Sequence, residues 1–388
     1  YDTLVGNPNR FNFDGETGDI VNHGNLAVPE GKNLNLVGGT VENTGNLSAP
    51  GGAVNIIAVP GSDRVRIQQN GMVLELEVNN DGQGMAATDL PKRLTGGTVN
   101  GEQILEVGED GRVRLTTNPQ TPRGTAIVQG TPDKPAQIQS DRVRIVGQEV
   151  QINHAVIHAQ QELHIQSLQG QSTIRNTAVR LEDVAGIGGL LTVLGAQIEV
   201  EQSQFTVHSP ATTVRFNSGS PIAPLNSAID ASLRGNTTLR QTRIQINPSA
   251  PSDKTAIDSL AAPHSRVEIL GTGRVELLGT TIVSPEIYIG GDLQGGNALP
   301  AAQETIVDAA STLDARGFTS SELDPSGLPD LPDSPIPPLA LAGRVIVWAD
   351  DKTRFLGRLR NPAGFAEISG KRELDLGQGW VDRLQVGD

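Results

Sequence analysis

Apolar residues along this chain recur at every second position in short bursts, and no segment of 11 or more residues keeps a helical stripe. Val65/Ile67, Leu74/Leu76/Val78, Val113/Leu115, Val143/Ile145, Val150/Ile152, Leu163/Ile165, Val179/Leu181, Ile198/Val200, Phe205/Val207, Val214/Phe216, Ile244/Ile246, Val267/Ile269, Val275/Leu277 and Ile287/Ile289 all alternate with polar neighbours. Such bursts predict many short, one-face-buried strands. From residue 142 they fall into triplets: 143–145, 150–152 and 156–158, then 163–165, 173–174 and 179–181, then 191–193, 198–200 and 205–207. Three strands per unit, with units of roughly 20 to 28 residues, predict a parallel β-helix of triangular section. Right-handed winding follows from the handedness of parallel crossovers. At about 4.8 Å per coil, some 14 to 17 coils would give a rod on the order of 70–80 Å long.

An internal repeat supports this reading. GDIVNHGNLAVPEG (18–31) returns 21 positions later as GTVENTGNLSAPGG, with seven of fourteen positions identical: Gly18/Gly39, Asn22/Asn43, Gly24/Gly45, Asn25/Asn46, Leu26/Leu47, Pro29/Pro50 and Gly31/Gly52. The period suits one coil of a solenoid, which buries its apolar residues only by stacking on a neighbour. Beyond Gly31 the correspondence continues as Leu34/Val54 and Leu36/Ile56 at an offset of 20, so one residue is lost at a bend while the strands keep register.

Composition narrows the core and the partners. Aromatic residues make up only 3% of the 388, which leaves Val, Ile, Leu and Ala to build a narrow stacked interior. The 45 Gly and 24 Pro supply bends, and at about 18% together they fall short of low complexity. The formal net charge of −14, with Lys and Arg dispersed, argues against nucleic acid as a partner. Cysteine is absent, which removes thiol chemistry, Cys-based zinc sites and disulfides. No run reaches the length of a membrane helix, so membrane insertion is not expected. The chain opens with Tyr1 and not Met, which reads as a processed or partial product.

Two stretches interrupt the rhythm. Residues 79–98 read as a surface excursion, with a short helix expected around Met85 to Arg93. Residues 320–338 carry six prolines, which withhold ladder donors and favour polyproline II. The expected organisation is therefore first coils within 1–78, the excursion at 79–98, a β-helix body at 99–319, a Pro-rich loop at 320–338, and terminal coils with a tail at 339–388.

The ends of the chain carry a resemblance. Gly6-Asn7-Pro8, Phe11 to Phe13, Gly18-Asp19-Ile20-Val21-Asn22, the paired GNL coils, AVNIIAVPG at 53–61 and RVRIQQNGMVLELEV at 64–78 resemble the secretion domain of two-partner-secreted, filamentous-haemagglutinin-like exoproteins, in particular the cyanobacterial branch. EIYIGGDLQGGNALPAAQETIVDAASTLDA, within 286–316, and GRVIVWADDKTRFLGRLRNPAGFAEISGKRELDL (343–376) resemble the late β-helix of that family. The resemblance implies export through an outer-membrane partner transporter. It implies this for a longer precursor, because the extreme N-terminal part of the secretion domain lies outside this sequence.

Candidate chemistry is sparse. A β-helical lyase or hydrolase needs carboxylates converging with a cation on one exposed sheet. The nearest sets are Asp350-Asp351-Lys352 with Arg354, and Glu182-Asp183; successive strand residues face opposite ways, so Asp350 and Asp351 would converge only in a turn. His154, His158 and His164 are the one imidazole cluster, read as facing outward between apolar strand positions, with metal binding as the sharper alternative. Asn22, Asn25, Asn43 and Asn46 are expected to stack as amide ladders or to occupy left-handed turns beside Gly24 and Gly45. Gly38-Gly39, Gly188-Gly189, Gly290-Gly291 and Gly295-Gly296 read as turn glycines, and Gly186-Ile187-Gly188-Gly189 lacks the Lys-Ser/Thr and helix of a phosphate loop.

Trp348 is expected to cap the apolar column or pack beneath the Pro-rich loop, with a sugar-stacking platform as the alternative; Trp380 lies near the C-terminus. Asp292, Asp308 and Asp314 could hold Ca²⁺ with loop carbonyls, but no calcium-binding nonapeptide appears. No residue is assigned a catalytic, cofactor-binding or metal-ligating role. The expected protein is an extracellular or outer-surface, non-enzymatic rod for contacts with cells, matrix glycans or copies of itself. A fibre or sheath subunit joined through solenoid ends, and a polysaccharide lyase or hydrolase, are the alternatives.

Overall fold

The computed structural model describes residues 10–12, 17–59, 64–66, 75–77, 104–107, 113–116, 124–182, 188–209, 212–219, 234–247, 265–291, 301–315, 343–361, 364–377 and 381–382. They form a parallel β-helix with three faces. Face 1 stacks Asp19–Asn22, Val41–Asn43, Thr125–Gln129, Glu149–Asn153, Gln171–Arg175, Gln197–Glu201, Thr237–Arg240, Arg274–Leu278, Glu304–Val307, Lys352–Phe355 and Glu373–Asp375 in that order. Face 2 runs from Asn25–Ala27 through Ala178–Glu182, Gln204–His208 and Arg243–Asn247 to Arg358–Arg360 and Val381–Asp382. Face 3 runs from Leu34–Gly38 through Gly189–Gly195, Thr212–Ser218 and Arg266–Gly271 to Arg344–Ala349 and Phe365–Gly370. Three long strands, Asn46–Ala58, Ala136–Gly147 and Ala155–Ser167, turn the corner from face 2 into face 3 without a break.

The core follows from alternation. On face 3 one inward column reads Leu36, Ile56, Ile145, Ile165, Val193, Phe216, Ile269, Ile289 and Val347, and its members from Ile56 onward are fully shielded from solvent. Face 2 contributes Leu47, Ile138, Ile157, Val179, Phe205, Ile244, Ile282 and Leu313, equally buried. Where two aromatic rings meet across one coil, Phe205 and Phe216 pack edge to face at 5.3 Å between centroids. In the strand at 155–167, Ala155, Ile157 and Ala159 point inward, while Val156 and His158 point out, as expected for His158.

Among the described residues the stack has eleven coils, the last incomplete, so this part is about 50 Å long at about 4.8 Å per coil, against the 14 to 17 coils expected. Beyond the first coil, Ile104–Val107 extends face 1 in parallel from Asp19–Asn22, and Val113–Thr116 then pairs antiparallel with it. These strands, expected within the body, thus sit at the N-terminal edge of face 1. Arg10–Asn12, Arg64–Arg66 and Glu75–Glu77 form a small separate antiparallel sheet. The expected helix at 85–93 and the Pro-rich loop at 320–338 lie outside the described residues.

The offsets read from the repeat are the registers observed. Asn22 pairs Asn43 and Leu26 pairs Leu47, 21 positions apart, whereas Leu34 pairs Val54 and Leu36 pairs Ile56, 20 apart. The lost residue falls at the corner between faces 2 and 3.

Candidate binding face

The corner from face 1 to face 2 never exceeds six described residues wherever both its strands are fully bounded by them. Five successive coils turn it through a left-handed residue: His154 (φ 47°), Asn176 (48°), Gln202 (48°), Gln241 (47°) and Gly279 (62°). In coils 5 to 8 a Ser or Thr follows, and its hydroxyl closes on a backbone carbonyl: Thr177 on Arg175 at 2.7 Å, Ser203 on Glu201 at 2.8 Å, Thr242 on Arg240 at 2.9 Å and Thr280 on Leu239 at 2.9 Å. The other two corners are permissive. Segments 59–124, 219–236 and 290–303 connect face 3 to face 1, and 248–265 and 315–343 connect face 2 to face 3. The longest connections between described strands therefore adjoin face 3.

Face 3 carries a sheltered polar column on its outer side. Arg144, His164, Thr192, Arg215, Glu268 and Tyr288 occupy one register position in six successive coils. Arg144 pairs with Glu162 at 3.1 Å. His164 Nδ1 meets the Thr192 hydroxyl at 2.7 Å, and its Nε2 meets Gln166 Oε1 at 2.7 Å. Gln166 Oε1 can only accept, so Nε2 carries the proton and Nδ1 accepts from Thr192. Burial holds this imidazole below its ordinary pKa, against the opposing pull of the Gln166 hydrogen bond. Glu268, only 2% exposed, is clamped between Arg215 and Arg266, the latter at 2.9 Å. A carboxylate buried this deeply is tolerated because both of its oxygens are met by guanidinium.

The three histidines do not converge. His154 is a corner residue, His158 stands on face 2 with Nε2 3.1 Å from Glu182, and His164 belongs to the outer side of face 3. The carboxylates separate likewise. Asp350 and Asp351 do lie in a turn, but each reaches a different cation of the next coil, Lys371 at 3.6 Å and Arg372 at 3.7 Å. Lys352 pairs with Glu373 at 2.7 Å, which holds its ammonium above the ordinary lysine pKa, and Arg354 pairs with Asp375 at 3.0 Å. Asp183 lies outside the described residues.

Asp308 closes a corner, accepting from Gly279 N at 2.9 Å and Ser311 Oγ at 2.6 Å, while Asp314 is buried in the strand Thr312–Asp314. Asp292 is not among the described residues. Among those that are, no three His, Asp or Glu side chains come together as a metal site.

Trp348 is not a column cap. Val345, Val347 and Ala349 fill the interior, and Trp348 sits half-buried on the outer side of face 3 against Gly291. Trp380 and Gly295-Gly296 lie outside the described residues. The asparagines form the expected ladders: Asn22 Nδ2 donates to Asn43 Oδ1 at 2.7 Å inside the core, and Asn46 donates to Asn25 at 2.7 Å on the surface. A third ladder, Asn55 to Asn35 at 2.6 Å, was not singled out in sequence although the 20-residue offset aligns the pair. The left-handed turns offered as their alternative occur elsewhere, at the corner from His154 to Gly279.

Comparison with known protein families, curated proteins and solved structures gives no match to this chain. Among the described residues no helix is long and apolar enough to cross a membrane.

Proposed function

We propose that this chain is a non-enzymatic, rod-forming exoprotein of the two-partner-secretion, filamentous-haemagglutinin-like type, placed outside the cell or on its outer surface. A partner outer-membrane transporter would export its precursor. The observation that carries the reading is the stack itself: eleven coils among the described residues, each strand paired in parallel with its equivalent in the next coil. Such a body supplies length and stiffness, and its outer columns supply contact specificity. Asp350, Asp351 and His164 are each engaged with separate neighbours, and His158 lies beside Glu182, which supports contact over catalysis.

The test has two arms. Deleting the gene in the producing cell should abolish surface labelling by an antibody to this chain and reduce attachment between cells or to matrix. Purified protein incubated with a panel of polysaccharides should yield neither unsaturated products nor new reducing ends. Undiminished attachment in the deletion strain, or turnover of a polysaccharide, would overturn the reading.

A further inference from the structure

Two of the long connections begin and end at residues that touch. Val283 pairs with Asp314 on face 2 and Glu286 with Arg344 on face 3, so Ser284 and Pro285 of one coil stand level with Ala315 and Gly343 of the next. Ser284 and Pro285 are joined by a peptide bond, whereas residues 316–342 separate Ala315 from Gly343 in the chain. The second pair nevertheless meets: a Cβ on Gly343 would overlap the Ala315 carbonyl oxygen. Neighbouring coils hold both members, with Ala315 N donating to Arg360 O at 2.8 Å, Arg344 N to Pro285 O at 2.8 Å and Asn361 Nδ2 to Gly343 O at 3.3 Å.

The corner from face 3 to face 1 repeats the arrangement. Ser218 pairs with Gly271 and Thr237 with Val275, which sets Gly219 and Gly235 level with Thr272 and Gly273, two residues bonded to one another. Gly219 and Gly235 are in backbone contact, so close that neither has room for a Cβ. Thr272 spans the join: its N donates to Ser218 O at 3.2 Å, and its hydroxyl accepts from Gly235 N at 2.8 Å. Gly273 N donates to Gly235 O at 2.8 Å.

We propose that these two corners are seams: residues 220–234 and 316–342 are inserts seated between residues that already meet, and each coil closes without its insert. A stacked coil needs only its rungs to the coils on either side. At both corners the described rungs are made by residues outside the inserts. Chain placed at a seam is thus held at both ends by a rigid base to which it adds no rung. Such seats serve the rod whatever it contacts, so they stand or fall apart from the adhesive reading.

Deletions in the full chain test this. Removing 316–342 and bonding Ala315 directly to Gly343 copies the Ser284–Pro285 corner, and removing 220–234 and bonding Gly219 to Gly235 copies Thr272–Gly273. Each variant should keep the strand signal in circular dichroism and a single cooperative thermal transition, with a midpoint within about 5 °C of wild type, because shortening a closed loop lowers the entropy cost of closing it. A second variant of each bridges the join with Gly-Ser, copying the two residues that separate Asn361 from Gly364, and so covers a direct bond that strains the corner. Retention of the transition at that midpoint in either variant of a pair supports the seam. Its loss, or a larger fall of the midpoint, in both variants of a pair would overturn the seam at that corner and make the removed segment part of the fold.

Discussion

At the residue scale the clearest case is His164. Burial selects its neutral form, against the pull of the Gln166 amide oxygen toward the charged one, with the Thr192 hydroxyl on its other nitrogen and Arg144 and Glu162 alongside. Its folded pKa lies below the unfolded value of about 6.5, so over the interval between them the unfolded chain binds more protons. Stability from this site is therefore complete above about pH 6.5 and is lost as pH falls through the folded pKa. The urea midpoint should decline between pH 7.5 and 5, and His164→Gln should flatten part of that decline; an identical pH profile in the variant would refute the assignment. The chemistry of this residue was hidden in the sequence, because Thr192 and Gln166 become its partners only through stacking and strand alternation. The asparagine ladders were legible, because the repeat itself aligned Asn22 with Asn43 and Asn25 with Asn46.

Elements here are strands too short to stand alone, and what defines them is the corner that joins them. A left-handed residue costs a side-chain-bearing amino acid about 1–2 kcal/mol, more for a β-branched one. Gln241 accepts that cost at φ 47° and also receives a hydrogen bond from Gln202 at 3.1 Å. Gln241→Val should lower stability by about 2 kcal/mol, and Gln241→Gly should be near neutral, because relief of strain offsets lost chain stiffness. Chemical denaturation of the two variants beside wild type tests this, and equal effects would rule out backbone strain as the cause. Glycine is required differently in the repeat: a Cβ on Gly45 would overlap the carbonyl oxygen of Gly24 one coil below, and one on Gly52 would overlap that of Lys32. The Gly24/Gly45 identity thus records how closely one coil rests on the next, whereas Gly52 stacks on Lys32, one position away from its repeat match Gly31.

For the whole molecule, strand phase told how coils are built but not how many there are. Alternation in Val143/Ile145, Leu163/Ile165 or Val267/Ile269 reports burial directly, and all six are fully enclosed. Coil number depends on which residues leave the path, and sequence marked the departures at 79–98 and 320–338 without giving their cost in coils. The three corners should also differ in tolerance. Four residues, Gly-Ser-Gly-Ser, inserted between Gln202 and Ser203 would break the Ser203 hydroxyl bonds to Glu201 and Thr177 and should cost about 2–4 kcal/mol. The same insertion between Thr272 and Gly273, at the corner type that elsewhere carries long departures, should cost about half as much. Comparable losses at both places would show that the corners are equivalent.

The one-residue slip between Leu26/Leu47 and Leu34/Val54 has a consequence for the gene. A codon gained or lost at that vertex is forgotten by the next strand, because each coil takes its alignment from the coil beneath and not from a count along the chain. Two of the three vertices therefore form an editing margin, where length can drift and new segments can enter without rewriting what lies downstream. The third vertex, held by its left-handed residue and its hydroxyl, is the fixed spine against which such edits accumulate.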